Sequence, residues 1–478
     1  MTLSEIEAGL RELGLKNGDI VLLHSALSSL GRVDGGAEGL VNAFLGVIGQ
    51  KGTLVVPAFA GGIVPETLAG RDDAVCSIAP SANIAAVGAR AEDICRDHWK
   101  NETAHGEGSP YLRVAEMDGY VCLMGVDQDR NTMLHSAEEL LRLPYLKDRP
   151  PRELETPEGV VNTGWKFFPG PHRDFIGLDR LFRESGKMRM HRIGNAMVRL
   201  IKAKDLLEIA VAAGERDPAF VLCDNPNCAD CVTQRADLRH ALFGQESFTL
   251  VAASSLAGRY VPEMIENCQA AGIDHLELDM IQGKLVQSMP ADKLASAVDD
   301  IRAGGIEVSG VRVAALSARL EQLFDRVVDV GISRVVMPLT MVAGDHLKLA
   351  ADKGIDLSFY NLAMDRQVAS EILMELKTHN LTPNVTFNAV NFVRAGEKPF
   401  LQSFKGKLRH FVDQLDIEDC CFDAMPQTLA RGNAEIKEIV SILRCSSFAG
   451  YMVLGAENRF CGNLLETAER FVKLLESM

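Results

Sequence analysis

The 478-residue sequence contains no apolar run approaching the ~20 residues that cross a bilayer as a helix, so no segment reads as a membrane span. It also lacks an excess of positive charge. Against 65 Asp and Glu stand only 50 Lys and Arg, for a formal charge of −15 and a pI near 5.3. Phosphate backbones require a basic face, so a nucleic-acid partner is excluded and a small cationic partner is favoured. The opening Met1-Thr2-Leu3-Ser4-Glu5 lacks the basic-then-apolar order of an export signal, and Ile6, Leu10 and Leu13 fall on one helical face. The 11 cysteines are therefore expected to be mostly reduced thiols, with the cytoplasm as the compartment. No internal repeat or low-complexity tract is evident.

What is present suffices for two cores. Hydrophobic residues make up 47% of the chain, and its length exceeds the roughly 250–300 residues at which one core stops growing. Up to about residue 220, strands such as 20–24, 53–57 and 120–124 mix with amphipathic segments and long polar loops, an α/β pattern. From Phe248 the texture becomes regular. Apolar runs at 249–253, 275–278, 308–313, 334–338, 357–360, 384–387, 410–415 and 451–454 alternate with helical stretches. Eight such βα units are what a (β/α)8 barrel requires, with an open eight-stranded parallel sheet as the alternative. The expected organisation is an α/β domain over 1–222, a cysteine-containing linker over 223–247 and a barrel over 248–478.

Chemistry is concentrated in a few segments of the first domain. Leu22-Leu23-His24-Ser25-Ala26-Leu27-Ser28 runs from a strand into small hydroxyl residues. Gly35 and Gly36 then precede a helix, where backbone N–H groups can approach a phosphate or an amide. Further on stand His105-Gly106-Glu107-Gly108-Ser109-Pro110 and Asn131-Thr132-Met133-Leu134-His135-Ser136-Ala137-Glu138. His135 and Glu138 lie three apart on a helix expected to open at Asn131 or Thr132, so both face one side. A carboxylate there can fix the imidazole tautomer and stabilise its charged form, and a solvated His–Glu pair is the plainer alternative.

The order of these segments, together with the strand end carrying Val55, Pro57 and Phe59, Leu123-Met124-Gly125, Gly170-Pro171-His172-Arg173-Asp174-Phe175 and Ile193-Gly194-Asn195-Ala196, closely resembles the aminoglycoside 3-N-acetyltransferase family over roughly the first 220 residues. The resemblance implies a three-layer α/β/α acetyltransferase-like domain that moves an acetyl group from acetyl-CoA, or another acyl-CoA, to the amine of a small molecule. His135 would be the base, Glu138 its orienting group or a holder of the substrate ammonium, and His105 a further catalytic candidate. Ser25, Ser28, Gly35, Gly36, Ser109, Asn131 and Thr132 would contact the cofactor or position it. One departure concerns the acceptor. Where many members carry His-Pro-x-x-Ser, this chain reads Ala79-Pro80-Ser81-Ala82-Asn83.

Cys223, Cys228 and Cys231 bring three thiols within nine residues, with His240 nearby. These four donor types suit a closed tetrahedral zinc site, and a reduced cysteine-bearing turn is the alternative.

Ala271-Gly272-Ile273-Asp274-His275-Leu276-Glu277-Leu278 and Val385-Thr386-Phe387-Asn388-Ala389-Val390-Asn391-Phe392 resemble xylose isomerase-like TIM barrels. That resemblance implies a divalent metal held by carboxylates and a histidine at strand C-termini. Here the fifth-strand glutamate position reads Tyr360, the sixth-strand aspartate Asn388 and the seventh-strand histidine Asp413, which removes the charge a hard cation needs. The metal site is expected to be lost. Glu277, Asp279, Arg312, Tyr360, Asn388, Asp413 and Glu457 remain as candidate substrate contacts. Three readings follow: an N-acyltransferase with an accessory barrel, a bifunctional acyltransferase and sugar isomerase, or a silent binding or assembly protein. A homo-oligomer is compatible with each.

Overall fold

A computed structural model describes residues 1–59, 61–167, 173–314, 320–362, 364–456 and 462–478. It divides into two compact units, Met1–Gln234 and Arg235–Met478. The division falls inside the helix Ala229–Phe243. The segment expected to be a linker is thus largely helical. Gln234, Ala236 and Arg239 on this helix are buried, and a Cβ on Gly272 would lie 2.4 Å from the Ala236 carbonyl oxygen, so glycine is what lets the helix pack there.

The first unit is built on nine strands: β1 (Ile20–Ser25), β2 (Thr53–Pro57), β3 (Val75–Cys76), β4 (Ile84–Gly88), β5 (Tyr120–Met124), β6 (Lys147–Thr156), β7 (Gly159–Phe167), β8 (Arg189–Ile193) and β9 (Ala196–Lys202). Seven of them form one sheet in the order β3-β4-β2-β1-β5-β9-β8, while β6 and β7 make a separate ribbon. β1 lies parallel to both β2 and β5, whereas β4 and β9 pair antiparallel outside them. β1, β2 and β5 are apolar almost throughout because both of their faces are covered, as in any parallel sheet flanked by helices. The opening helix Leu3–Leu13 starts at a capping box in which Thr2 and Glu5 satisfy each other's backbone N–H groups. It buries Ile6, Leu10 and Leu13, the stripe visible in the sequence.

The second unit is a closed parallel barrel of eight strands: Thr249–Ala253, His275–Leu278, Glu307–Arg312, Arg334–Pro338, Asp356–Tyr360, Asn384–Asn388, Val412–Ile417 and Tyr451–Leu454. Closure removes the open-sheet alternative. Leu357 and Phe359 of the fifth strand join the apolar layer under the helices. Ser358, between them, bonds to Thr386 of the adjacent sixth strand and to Asp413 of the seventh. The same alternation on the third, sixth and seventh strands places Arg312, Asn388, Gln414 and Asp416 in hydrogen bonds with one another or with Glu277 of the second strand. The barrel interior is therefore polar, where Val, Ile and Leu ordinarily dominate. The seventh strand runs two residues later than the apolar run suggested, ending at Ile417.

Candidate active site

In the first unit the chain leaves β1 toward β2 on one side, and β5 lies on the other side of β1. Such a reversal opens a crevice outside the carboxyl ends of the two strands, the usual ligand position in parallel α/β sheets. The segments following β1 and β5 touch there. Gly125 has φ 68°, and a Cβ on it would fall 1.6 Å from Ser29 Oγ, so glycine is required on both counts. A groove of about 500 Å³ beside this point is lined by Ser25, Ser28, Gly31, Gly36, Gly62 and Ile63, among others.

The short helix Leu134–Leu140 follows the β5 loop, opening two or three residues later than expected, and carries His135 and Glu138 on one face. His135 Nδ1 lies 2.6 Å from Glu138 Oε2. Glu138 is fully buried, and its other oxygen accepts from Tyr145 Oη at 2.9 Å and from Arg173 Nε at 2.8 Å. Burial alone would raise its pKa. The hydrogen bonds and charges of His135 and Arg173 outweigh that and hold the carboxyl below its ordinary range. An ionised Glu138 accepts from Nδ1–H, which leaves Nε2 as the basic nitrogen. Glu138 is thus buried against three protein donors, His135, Tyr145 and Arg173. Tyr145 and Arg173 had no assigned role in the sequence reading; the only cue was an arginine inside the Gly170–Phe175 motif.

His105 packs beside this pair, its ring centroid 5.1 Å from that of His135 and 4.5 Å from that of Tyr111. Burial, followed by the neighbouring charges of His135 and His98, holds its pKa well below the ordinary histidine value, so the ring is neutral. Its Nε2 is buried without a hydrogen-bond partner among the described residues. Phe175 meets His135 edge-on at 5.1 Å and shields one side of the imidazole.

The other sequence candidates separate into groups. Ser25, Ser28 and Gly36 line the groove. Gly35, at φ 75°, instead caps the helix Gly36–Ile48. Ser109 is fully buried and caps the helix Pro110–Glu116 by accepting from the Leu112 N–H at 3.3 Å, which makes it structural. Asn131 is buried and donates to Gln128 Oε1 at 2.9 Å. Thr132 Oγ1 is buried in the loop leading to His135.

The sulfurs of Cys223, Cys228 and Cys231 lie within 4.8 Å of one another. His240 does not join them. It is exposed nine residues beyond Cys231 on the same helix, roughly 13 Å farther along the axis at 1.5 Å per residue.

In the barrel, Arg312 Nε donates to Glu277 Oε1 at 2.5 Å, and its two terminal nitrogens reach Asp416 at 3.2 and 2.6 Å. Asn388 Nδ2 adds a bond to Asp416 Oδ2 at 2.9 Å. Tyr360 lies over the guanidinium with its hydroxyl on the Val313 carbonyl. Asp413 belongs elsewhere, at the amino-terminal end of its strand with Arg334 and Ser358. Asp416, three residues on, is the seventh-strand carboxylate that meets Arg312 and Asn388. Asp279 is bound by Ser254 and Ser255. Glu457 lies outside the described residues.

The first unit thus holds an imidazole braced by a buried carboxylate and a serine- and glycine-lined groove after the first strand, features that suit a group-transfer enzyme. Residues 22–61 and 60–214 match the family model described as aminoglycoside 3-N-acetyltransferase. Aminoglycoside N(3)-acetyltransferase IV from a Salmonella species is 30% identical over 238 residues, covering 46% of this chain and 89% of the relative. The chain belongs to the aminoglycoside 3-N-acetyltransferase family, and is an N-acetyltransferase. Among solved structures, the aminoglycoside acetyltransferase AAC(3)-IVa in complex with gentamicin is 28% identical and covers 49% of this chain and 97% of its own, with a TM-score of 0.46. An AAC-IIIb enzyme in binary complex with CoASH is 26% identical over 45% of this chain and 97% of its own, with a TM-score of 0.42. Among the described residues no helix is long and apolar enough to cross a membrane.

Proposed function

We propose that the first unit transfers the acetyl group of acetyl-CoA to an amine of a small polyamine-like molecule, with His135 as the general base. The observation that carries this reading is the bond between His135 Nδ1 and the buried, ionised Glu138, which fixes the tautomer in which Nε2 is the basic nitrogen. As the neutral amine nitrogen bonds to the thioester carbon, His135 Nε2 accepts its proton. The carbon–sulfur bond then breaks and CoA leaves as the thiolate, to be protonated by the imidazolium. Ser25 and Ser28, lining the groove, are suited to the pantetheine arm and to the developing oxyanion. His105 remains neutral and crowds the imidazole from one side.

The acceptor is not fixed by the family. Ala79 is buried and apolar where many relatives place a histidine, so an aminoglycoside is the first acceptor to test rather than the assumed one. The test is a panel of aminoglycosides, aminocyclitols and simple polyamines incubated with acetyl-CoA, read as thiol release and as the mass of an added acetyl group. Absence of acetylated product with every amine, despite CoA binding, would overturn the reading.

The second element of the proposal is a structural zinc on Cys223, Cys228 and Cys231, completed by a donor other than His240. The backbone N–H of Cys231, helped by hydrogen bonds with the Cys231 and Cys223 side chains, holds the Cys228 thiol below its ordinary pKa, toward the thiolate that zinc requires. Elemental analysis of the purified full chain should give about one equivalent of zinc, lost when the three cysteines become serine. The barrel acts as an accessory, substrate-binding unit.

A further inference from the structure

The segment that brings the three cysteines together also holds the backbone between two residues of the active site. Asp174 donates its N–H to the Val221 carbonyl at 2.8 Å. On one side of Asp174 stands Arg173, whose Nε bonds Glu138 at 2.8 Å, and on the other Phe175, whose ring meets His135 edge-on at 5.1 Å. Val221 is fully buried, and Cys223 follows two residues later. A second approach comes from the far end of the turn, where Cys231 is fully buried near the start of the helix Ala229–Phe243. Burial raises the Tyr145 phenol above its ordinary pKa, Glu138 adds to this, and Cys231 contributes as well. The Cys231 sulfur therefore lies within electrostatic reach of the hydroxyl that bonds Glu138 at 2.9 Å. Arg173 and Tyr145 share Glu138 Oε1, and each is met by a different end of the cysteine turn.

Apolar burial does little to close that turn, because Asp224, Asn225, Pro226 and Asn227 are all exposed. The sulfurs of Cys223, Cys228 and Cys231, within 4.8 Å of one another, can close it on one zinc, which ties Cys223 to the helix start. Fixing Cys223 fixes the Val221 carbonyl, and Val221 fixes the backbone of 173–175. Opening the cluster releases that carbonyl and loosens the arginine that anchors the carboxylate. A base misplaced by about 1 Å loses up to about a hundredfold in rate. Among the described residues, none of 173–231 lines the groove beside Ser25, so CoA binding stands outside this link.

We propose that zinc on Cys223, Cys228 and Cys231 sets the position of the Glu138 carboxylate through Arg173, Phe175 and Tyr145. Acetyl transfer is then zinc-dependent in kcat although the metal touches neither substrate. The inference rests on the zinc and the general base proposed above. It is tested on the full chain as purified, after stripping by a chelator, and after zinc is returned, with the amine that gives product in the panel. Stripping should lower kcat about ten- to a hundredfold, reversibly, while calorimetric CoA affinity stays within about twofold. In Glu138→Gln, where the carboxylate is already gone, stripping should cost less than about twofold more, since both changes act on one unit. Independently of activity, the His135 Nδ1–H proton resonance, assigned by its loss in His135→Ala, should move on stripping and return with zinc. Cys223→Ser, which keeps the buried Cys231, gives the same readings if the stripped chain unfolds. Equal losses in the parent and Glu138→Gln, an unmoved His135 resonance, or a fall in CoA affinity matching that in kcat would each overturn the link. A chain that never holds zinc removes site and link together, whereas a zinc-loaded chain indifferent to stripping keeps the site and loses the link.

Discussion

Arg173 and His135 hold opposite oxygens of the same carboxylate: Glu138 receives the guanidinium Nε at 2.8 Å on Oε1 and the imidazole Nδ1 at 2.6 Å on Oε2. The arginine, with Tyr145, fixes the carboxylate, and the carboxylate fixes the imidazole. The imidazole is thereby oriented before any substrate arrives, so the base proposed here would need no reorganisation in the reacting step.

His135→Ala should lower kcat for acetyl transfer by about two to four orders of magnitude, the range of a positioned general base, with CoA affinity little changed. Steady-state kinetics beside calorimetric titration of CoA separates the two quantities. Unaltered kcat would remove His135 from the mechanism.

Glu138→Gln keeps the side chain's shape but removes its charge, and its amide can donate to Nδ1 and favour the wrong tautomer. A loss of about ten- to a hundredfold in kcat is expected, smaller than for His135→Ala. Tyr145→Phe, which leaves both Arg173 and His135 on the carboxylate, should cost less still. A Tyr145→Phe loss equal to that of Glu138→Gln would show that orientation of the base depends mainly on the tyrosine.

The first unit should lose stability on mild acidification. Burial lowers His24 to about 3 and His98 to about 4, against an unfolded value of 6.5. Between pH 6.5 and about 4 the unfolded chain therefore binds more protons than the folded one, so stability rises with pH through that window and levels off above it. Each imidazole contributes up to about 1.4 kcal/mol per pH unit. Urea titrations of His24→Leu between pH 4.5 and 7.5 should show a shallower dependence than the parent. Parallel curves would mean that His24 is charged in the fold.

Much of the architecture was legible in the sequence, and the misses share a cause. Four barrel strands stand where their apolar runs lie, at Thr249–Ala253, His275–Leu278, Arg334–Pro338 and Tyr451–Leu454. The sixth and seventh were cut short because their final inward residues are Asn388 and Asp416, and a polar strand end inside a polar barrel reads as loop. The same effect left Asp416, whose carboxylate meets Arg312, out of the candidate residues. In the first unit the His135–Glu138 pair was visible because three-residue spacing on a helix is local information. Arg173, 35 residues away, reaches Glu138 only through the tertiary fold.

Removing Arg312 should destabilise the barrel severely without turning it into a metal enzyme. Arg312→Met leaves Glu277 and Asp416 buried together with no cation between them, and breaking a buried ion pair from one side costs about 3–5 kcal/mol. A second change, Asp416→Asn, removes one of the stranded charges and should restore part of that loss. In the parent protein the guanidinium already holds the two carboxylates, while Asn388 and Tyr360 supply no further charge for a hard cation. Elemental analysis of the full chain should accordingly find no magnesium, manganese or cobalt, and its only divalent ion should be the zinc that disappears with the three cysteines. About one equivalent of a second divalent ion, surviving the cysteine substitutions and lost on Asp416→Asn, would show that the carboxylates bind metal in spite of Arg312.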